Sequence, residues 1–90
     1  MKSTLQAGVA ATHAFPVTDA QTVPNLPIGN ALFSDIPHVL ATANMVAMME
    51  ATATKALAPH LDATEGSLGI LVDVTHLAAT VPGQTVAVTA

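Results

Sequence analysis

The chain has no cysteine, no tryptophan and no tyrosine, and Phe15 and Phe33 are its only phenyl rings. Without cysteine neither a disulfide nor a thiolate metal site can form, and the compartment is left open on that count. Without bulky rings, a core must be assembled from Val, Leu, Ile, Met and Ala, which is demanding for a 90-residue chain because small domains bury a modest fraction of their surface. Charge is scarce as well. Lys2 and Lys55 stand against six acidic residues, for a net charge of -4. Nothing forms a basic patch, which argues against a nucleic-acid partner. No apolar run approaches the ~20 residues of a membrane-spanning helix. The opening MKSTLQAGVAATHAF lacks the continuous apolar stretch of a secretory signal. These absences predict a single cytoplasmic domain over residues 1–90, with no membrane partner.

What is present is apolar. Hydrophobic residues make up 51% of the chain and charged ones 9%, leaving few groups to solvate the outside. Part of the surface is therefore expected to be covered by another chain, most simply in a homodimer.

Alternation over Gly8–Thr18 predicts a strand, with Val9, Ala11, His13, Phe15 and Val17 on one face. Pro16 cannot donate to a ladder, so it predicts an edge or a strand end. Residues 19–37 carry Pro24, Pro27, Gly29, Asn25 and Asn30 and read as a long loop with an apolar side of Leu26, Ile28, Leu32, Phe33 and Ile36. Such a loop either closes over a ligand or plugs the core.

Thr42–Leu61 (TANMVAMMEATATKALAPHL) is the one segment long and regular enough for a full helix. Thr42 is the candidate N-cap, with a start near Pro37 as the competitor. Val39, Ala43, Val46, Glu50, Ala53 and Leu57 recur at steps of three and four, which predicts one stripe with Glu50 inside it. Met45, Met48 and Met49 read as core filler. Beyond an acidic turn, Ser67–Thr80 predicts a long strand, apolar on both faces near its middle as a central strand would be. Pro82-Gly83 predicts a turn and Thr85–Ala90 another strand.

Three polar groups stand out: Thr42, Glu50 and His76. On a straight helix Thr42 and Glu50 would lie roughly 12 Å apart along the axis and about 80° around it, so they cannot hydrogen-bond directly. Either Thr42 sits at the helix entry, or a substrate spans the gap, or the pair meets across a dimer interface. A histidine suits proton transfer near neutral pH, and free N–H groups at a helix start suit a developing oxyanion. The structural alternative makes Glu50 a backbone-bonded acid and His76 a satisfied core histidine. Spacing alone leaves the two readings level. The four histidines lack ligand spacing, so no metal site is expected, and no P-loop, G-x-S-x-G or G-x-G-x-x-G motif occurs.

The run PHVLATANMVAMMEATATKALAPHLD followed by GSLGILVDVTHLAATVPGQTVAVTA closely resembles the fluoroacetyl-CoA thioesterase family of hot-dog proteins. The paired signature A-T-x-x-M-V-x-x-x-E and S-L-G-x-x-x-x-x-T-H-x-A-A-T-x-P-G is long and specific. The resemblance implies an α+β hot-dog fold, a long helix packed on an antiparallel sheet, with two subunits pairing to make the active sites. It implies hydrolysis of a short acyl-CoA thioester without a cofactor, coenzyme A being part of the substrate. Thr42, Glu50 and His76 match the family's catalytic positions, and Gly69 matches a glycine lining the site. Glu50 would attack the carbonyl or activate water, His76 would handle protons, and Thr42 would orient the reacting groups. At the loop position where an aromatic gate is expected the chain has Ile36, although Phe33 remains, so the resemblance implies a generic short-chain acyl-CoA and not a selectivity for fluoroacetyl. Family members carry further strands after Thr85–Ala90, which implies a C-terminally truncated hot-dog domain. A non-catalytic module that binds acyl-CoA or a partner chain, and a hot-dog hydratase or dehydratase, are the alternatives.

Overall fold

Pro16 has no N–H, and the sheet is registered so that none is missed there. In the computed structural model, which describes residues 1–28 and 30–90 with only the backbone of Asn30, β1 (Thr12–Pro16) pairs antiparallel with β2 (Thr85–Thr89). Ala11 and Ala90 exchange both backbone hydrogen bonds at 2.8 Å. Pairs two residues on therefore repeat that exchange, and the pairs between them do not. Thr12↔Thr89, Ala14↔Ala87 and Pro16↔Thr85 fall in the second class. Side chains approach most closely in such pairs, and the Thr12 and Thr89 hydroxyls meet at 3.0 Å. The turn into β2 uses Gly83 at φ 95°, a conformation that costs glycine nothing.

The expected helix is α2 (Thr42–Leu57), continued by a 3-10 turn at Ala58–His60. Its start differs from expectation. Ala41 occupies the cap position, Thr42 is the first helical residue, and no side chain caps the end. The Thr42 hydroxyl is engaged elsewhere.

The buried line along α2 is Ala41, Met45, Met48 and Thr52, with Ala41, Met48 and Thr52 fully buried. These steps of four and three pack Met48 with Val17 and Leu40, against which Phe15, Met45, Val86 and Val88 lean. Thr52 is tolerated because its hydroxyl donates to the Met48 carbonyl at 2.9 Å. Glu50 lies two residues from Met48, which on a helix is nearly the opposite side. It is exposed, as are Ala43 and Ala47, so the stripe expected to contain Glu50 faces away from the β1–β2 core. Alanine lies on all sides of α2, and the larger Met48 decides which side is inside.

Where a long loop is expected, the described residues include short helical turns. Two 3-10 turns, Asp19–Gln21 and Val23–Asn25, precede the single-turn α1 (Asn30–Phe33). Thr22 is fully buried and bridges to Leu40. Backbone bonds from Val23 N–H to Val39 O and from Ala41 N–H to Gln21 O, both 3.0 Å, bind these turns to the approach to α2.

Ser67–Thr80 does not form the expected strand. Among the described residues only Thr80 at its end makes a backbone hydrogen bond, accepting from Leu40 N–H at 2.8 Å. A ladder needs a neighbouring edge, and the edge of β2 is separated from Leu71–Val74 by a cavity of about 410 Å³. The segment instead crosses the outer face of α2. Leu68, Ile70 and Leu77 are 93%, 98% and 88% exposed. The radius of gyration, 15.5 Å, exceeds the roughly 12 Å of a compact chain this long, as an uncovered segment requires.

Candidate active site

The Thr42 Oγ1 lies 2.8 Å from Nδ1 of His76. Thr42 reaches it because α2 begins there, and His76 because Leu40 N–H holds the end of the 67–80 segment at Thr80 O. Two tautomers fit this bond. With Nδ1 protonated, the imidazole donates to the hydroxyl and Nε2 keeps a free lone pair. With Nε2 protonated, the hydroxyl donates to Nδ1. The first form leaves a base whose orientation is fixed by Thr42. The N–H groups of Thr42, Ala43 and Asn44 open α2 and have no acceptor within the helix. Val23, Val39, Leu40, Leu77, Ala78 and Ala79 wall a cavity of about 280 Å³ around Thr42 and His76.

Glu50 stands apart. It borders the cavity between Leu71–Val74 and Val88–Ala90, and a second one, of about 450 Å³, lined by Ala47, Ala51, Thr54, Leu57 and Ser67–Gly69. Its carboxylate rests on Gly69 so closely that a Cβ at that position would overlap Oε1. Only glycine admits the carboxylate there. Of the expected site residues, then, the structure joins Thr42 to His76 and Glu50 to Gly69, and within one chain it leaves the two pairs on different cavities. Phe33 is half-buried and Ile36 exposed, and neither lines these cavities.

A third cluster lies outside the expected site residues. Asp19 Oδ1 lies 2.9 Å from His38 Nδ1, and Asn25 Nδ2 donates to Asp19 Oδ2 at 3.1 Å. The bond to His38, helped by those from Asn25 and Thr22, holds the Asp19 carboxyl below its ordinary range. At the other end of the molecule the Met1 ammonium pairs with Glu65 and Asp62, which raises the amine and, for Glu65, lowers the acid. No spacing rule links these residues. Among the described residues no group of three His, Asp or Glu side chains is arranged to hold a metal, and no helix is long and apolar enough to cross a membrane.

A family model described as "Fluoroacetyl-CoA-specific thioesterase" matches residues 17–90. The chain belongs to this family. A fluoroacetyl-CoA thioesterase from Streptantibioticus cattleyicolor is 46% identical over all 90 residues, and the chain spans 65% of that relative's length. Solved structures of the fluoroacetyl-CoA thioesterase FlK agree in fold. A threonine-to-alanine mutant in complex with fluoroacetate superposes with a TM-score of 0.89 at 44% identity, over 94% of this chain and 64% of that one. A phenylalanine-to-alanine mutant in complex with fluoroacetate and CoA gives 0.89 at 45% identity, over 94% and 68%. The family's hot-dog fold is thus the fold here, its long helix α2 laid against the antiparallel pair β1–β2.

Proposed function

We propose that this protein hydrolyses a short-chain acyl-CoA thioester as a cytoplasmic homodimer, with Thr42, Glu50 and His76 as catalytic residues and Gly69, Phe33 and Ile36 beside the substrate. The observation that carries the reading is the 2.8 Å bond between Thr42 and His76 at the start of α2, in a chain of this family. Water adds to the thioester carbonyl carbon, the C–S bond breaks, and the departing thiolate takes a proton, giving a carboxylic acid and free CoA. Glu50 serves either as the base that takes a proton from water or as the nucleophile, in which case water cleaves the resulting anhydride. His76, turned by Thr42, takes up on Nε2 the proton that the water gives up, directly or by way of Glu50, and passes it to the departing sulfur, while N–H donors at the start of α2 receive the oxyanion. Side chains and water supply all of this, so the proposed reaction draws on no cofactor beyond the CoA of its substrate.

Each active site, in this reading, takes Thr42 and His76 from one subunit and Glu50 with Gly69 from the other. Two observations support the pairing. Thr42 and Glu50 are eight residues apart on one straight helix and border different cavities. Leu68, Ile70, Leu71, Val72 and Leu77 are exposed and, among the described residues, the backbone beside them finds no partner, as befits a surface that a second copy covers. The test is release of free thiol from acetyl-, fluoroacetyl-, propionyl- and butyryl-CoA. Thiol release that is fastest for the shorter acyl groups is the expected result. Binding without thiol release, or water addition to an enoyl-CoA with the thioester intact, would overturn the proposal.

A further inference from the structure

Asp19 has no part in the chemistry above, yet its oxygens draw together three stretches of chain. Its carboxylate takes the bond from Asn25 Nδ2 at 3.1 Å and lies 2.9 Å from Nδ1 of His38. Its carbonyl accepts from Asn25 Nδ2 at 2.7 Å, from the Thr22 hydroxyl at 2.6 Å and from Thr22 N–H at 3.0 Å. Asn25 immediately precedes the segment 26–37 and His38 immediately follows it. Both ends of that segment are therefore fastened to one residue. The fastening continues inward, because Thr22 is fully buried and bridges to Leu40, and Val23 N–H bonds Val39 O. Val23, Val39 and Leu40 are three of the residues that wall the cavity around Thr42 and His76. Asn44, in the first turn of α2, ties the same turn down by donating to Gln21 O at 2.9 Å.

We propose that Asp19 is a positioning residue, whose carboxylate clasps His38 and Asn25 and thereby sets the Val23–Val39–Leu40 wall against which the acyl group packs. The acyl part rests on the thioesterase reading; the clasp itself does not. Asp19 and His38 are both on the surface, so opening the clasp leaves the Val17–Leu40–Met48 core in place. The cost falls on the wall. A closed wall fits one size of acyl group, and a loose wall fits several sizes poorly, so the loss appears in KM and in acyl preference rather than in kcat.

The test compares the wild type with Asp19→Ala, His38→Ala and His38→Gln, the last keeping a donor that can reach Asp19. Amide hydrogen exchange is read at Val23, Val39 and Ala41 and, as a control, at Met48–Leu57. KM and kcat are read for acetyl-CoA and butyryl-CoA. In Asp19→Ala and His38→Ala, exchange at the wall amides rises by about fivefold or more and KM for acetyl-CoA rises by a similar factor, while kcat and helix exchange hold. His38→Gln stays near the wild type, a rescue that a merely structural role for the imidazole would not give. Unchanged exchange at Val23 and Val39 overturns the clasp. Raised exchange with unaltered KM and acyl preference overturns its part in selection. A wild type that cleaves no thioester defeats the thioesterase reading alone, and the exchange result then still decides the clasp. Should Asp19→Ala not fold, the two His38 variants carry the same comparison.

Discussion

Thr42 and His76, thirty-four positions apart in sequence, share a hydrogen bond of 2.8 Å, while Glu50, on the same helix as Thr42, faces another cavity and rests on Gly69. A hydroxyl bound to Nδ1 fixes the imidazole in place and leaves Nε2 as the ring nitrogen free to act. Thr42→Ser keeps that bond and should retain most of the turnover. Thr42→Ala removes it and should lower kcat by about 10-fold or more, and His76→Ala by about 10²–10⁴-fold, as losses of an orienting group and of a proton-transfer group. Thiol-release kinetics on the three purified variants check the ordering; equal rates in Thr42→Ala and the wild type would remove Thr42 from the site.

Gly69→Ala puts a methyl group where the Glu50 carboxylate lies. The side chain is exposed and can rotate away, so stability should hardly change while Glu50 loses its seat. The expected outcome is an unaltered melting temperature with a fall in kcat of at least about tenfold. Turnover at the wild-type rate would show that the position of Glu50 against Gly69 is immaterial.

Much of this arrangement is legible in the sequence, for local reasons. The alternation through Phe15 and Val17, and that through Val86 and Val88 after the Pro82-Gly83 turn, mark β1 and β2 as strands, although not that they pair. The Met and Ala spacing specifies α2. What is not legible depends on partners distant in sequence. The strand expected at Ser67–Thr80 lacks an edge to bond, which no property of its own residues reveals. The face on which Glu50 lies depended on Met48 winning the core from Val46, and an alanine-rich helix carries too little contrast to foretell it. Thr42, Glu50 and His76 stand out as polar groups in the sequence, and the family resemblance adds Gly69 and marks all four as site positions, but not that Thr42 with His76 and Glu50 with Gly69 border different cavities. The Asp19–His38–Asn25 clasp follows no periodicity and was not foreseeable.

Acid should weaken the protein through Asp19 and Glu65. Both carboxyls are held below their ordinary values of 3.8 and 4.5, by His38 and by the Met1 ammonium. A depressed folded-state value means stability that is present above the unfolded-state value and lost as pH falls through the folded one. Melting temperature should therefore fall as pH drops from about 5 towards 3, and Asp19→Asn should flatten part of that limb. An identical acid limb in Asp19→Asn would show that the Asp19–His38 bond does not contribute to stability in solution.

Leu40 is fully buried between the 3-10 turns and α2. Leu40→Ala should cost about 2–5 kcal/mol, the range for opening a cavity in a packed core. In a core with so few large side chains that loss should be visible in urea unfolding as a much lower midpoint with a similar slope. A loss well under 1 kcal/mol would mean that Leu40 does not anchor the wall of the Thr42–His76 cavity.

Ile70 is 98% exposed and sits in the segment that the proposed second copy covers. Ile70→Asp should shift the protein from dimer to monomer in sedimentation and abolish thiol release, because a buried unpaired carboxylate opposes the interface. An active monomer would contradict the shared site.

The most direct test mixes two inactive proteins. Glu50→Gln and His76→Ala are each purified, confirmed folded by circular dichroism, unfolded together and refolded as a mixture. If each site takes Glu50 from one subunit and His76 from the other, half of the dimers are mixed and each holds one intact site, so thiol release should return to about a quarter of the wild-type rate. A mixture no more active than its two components would contradict the account.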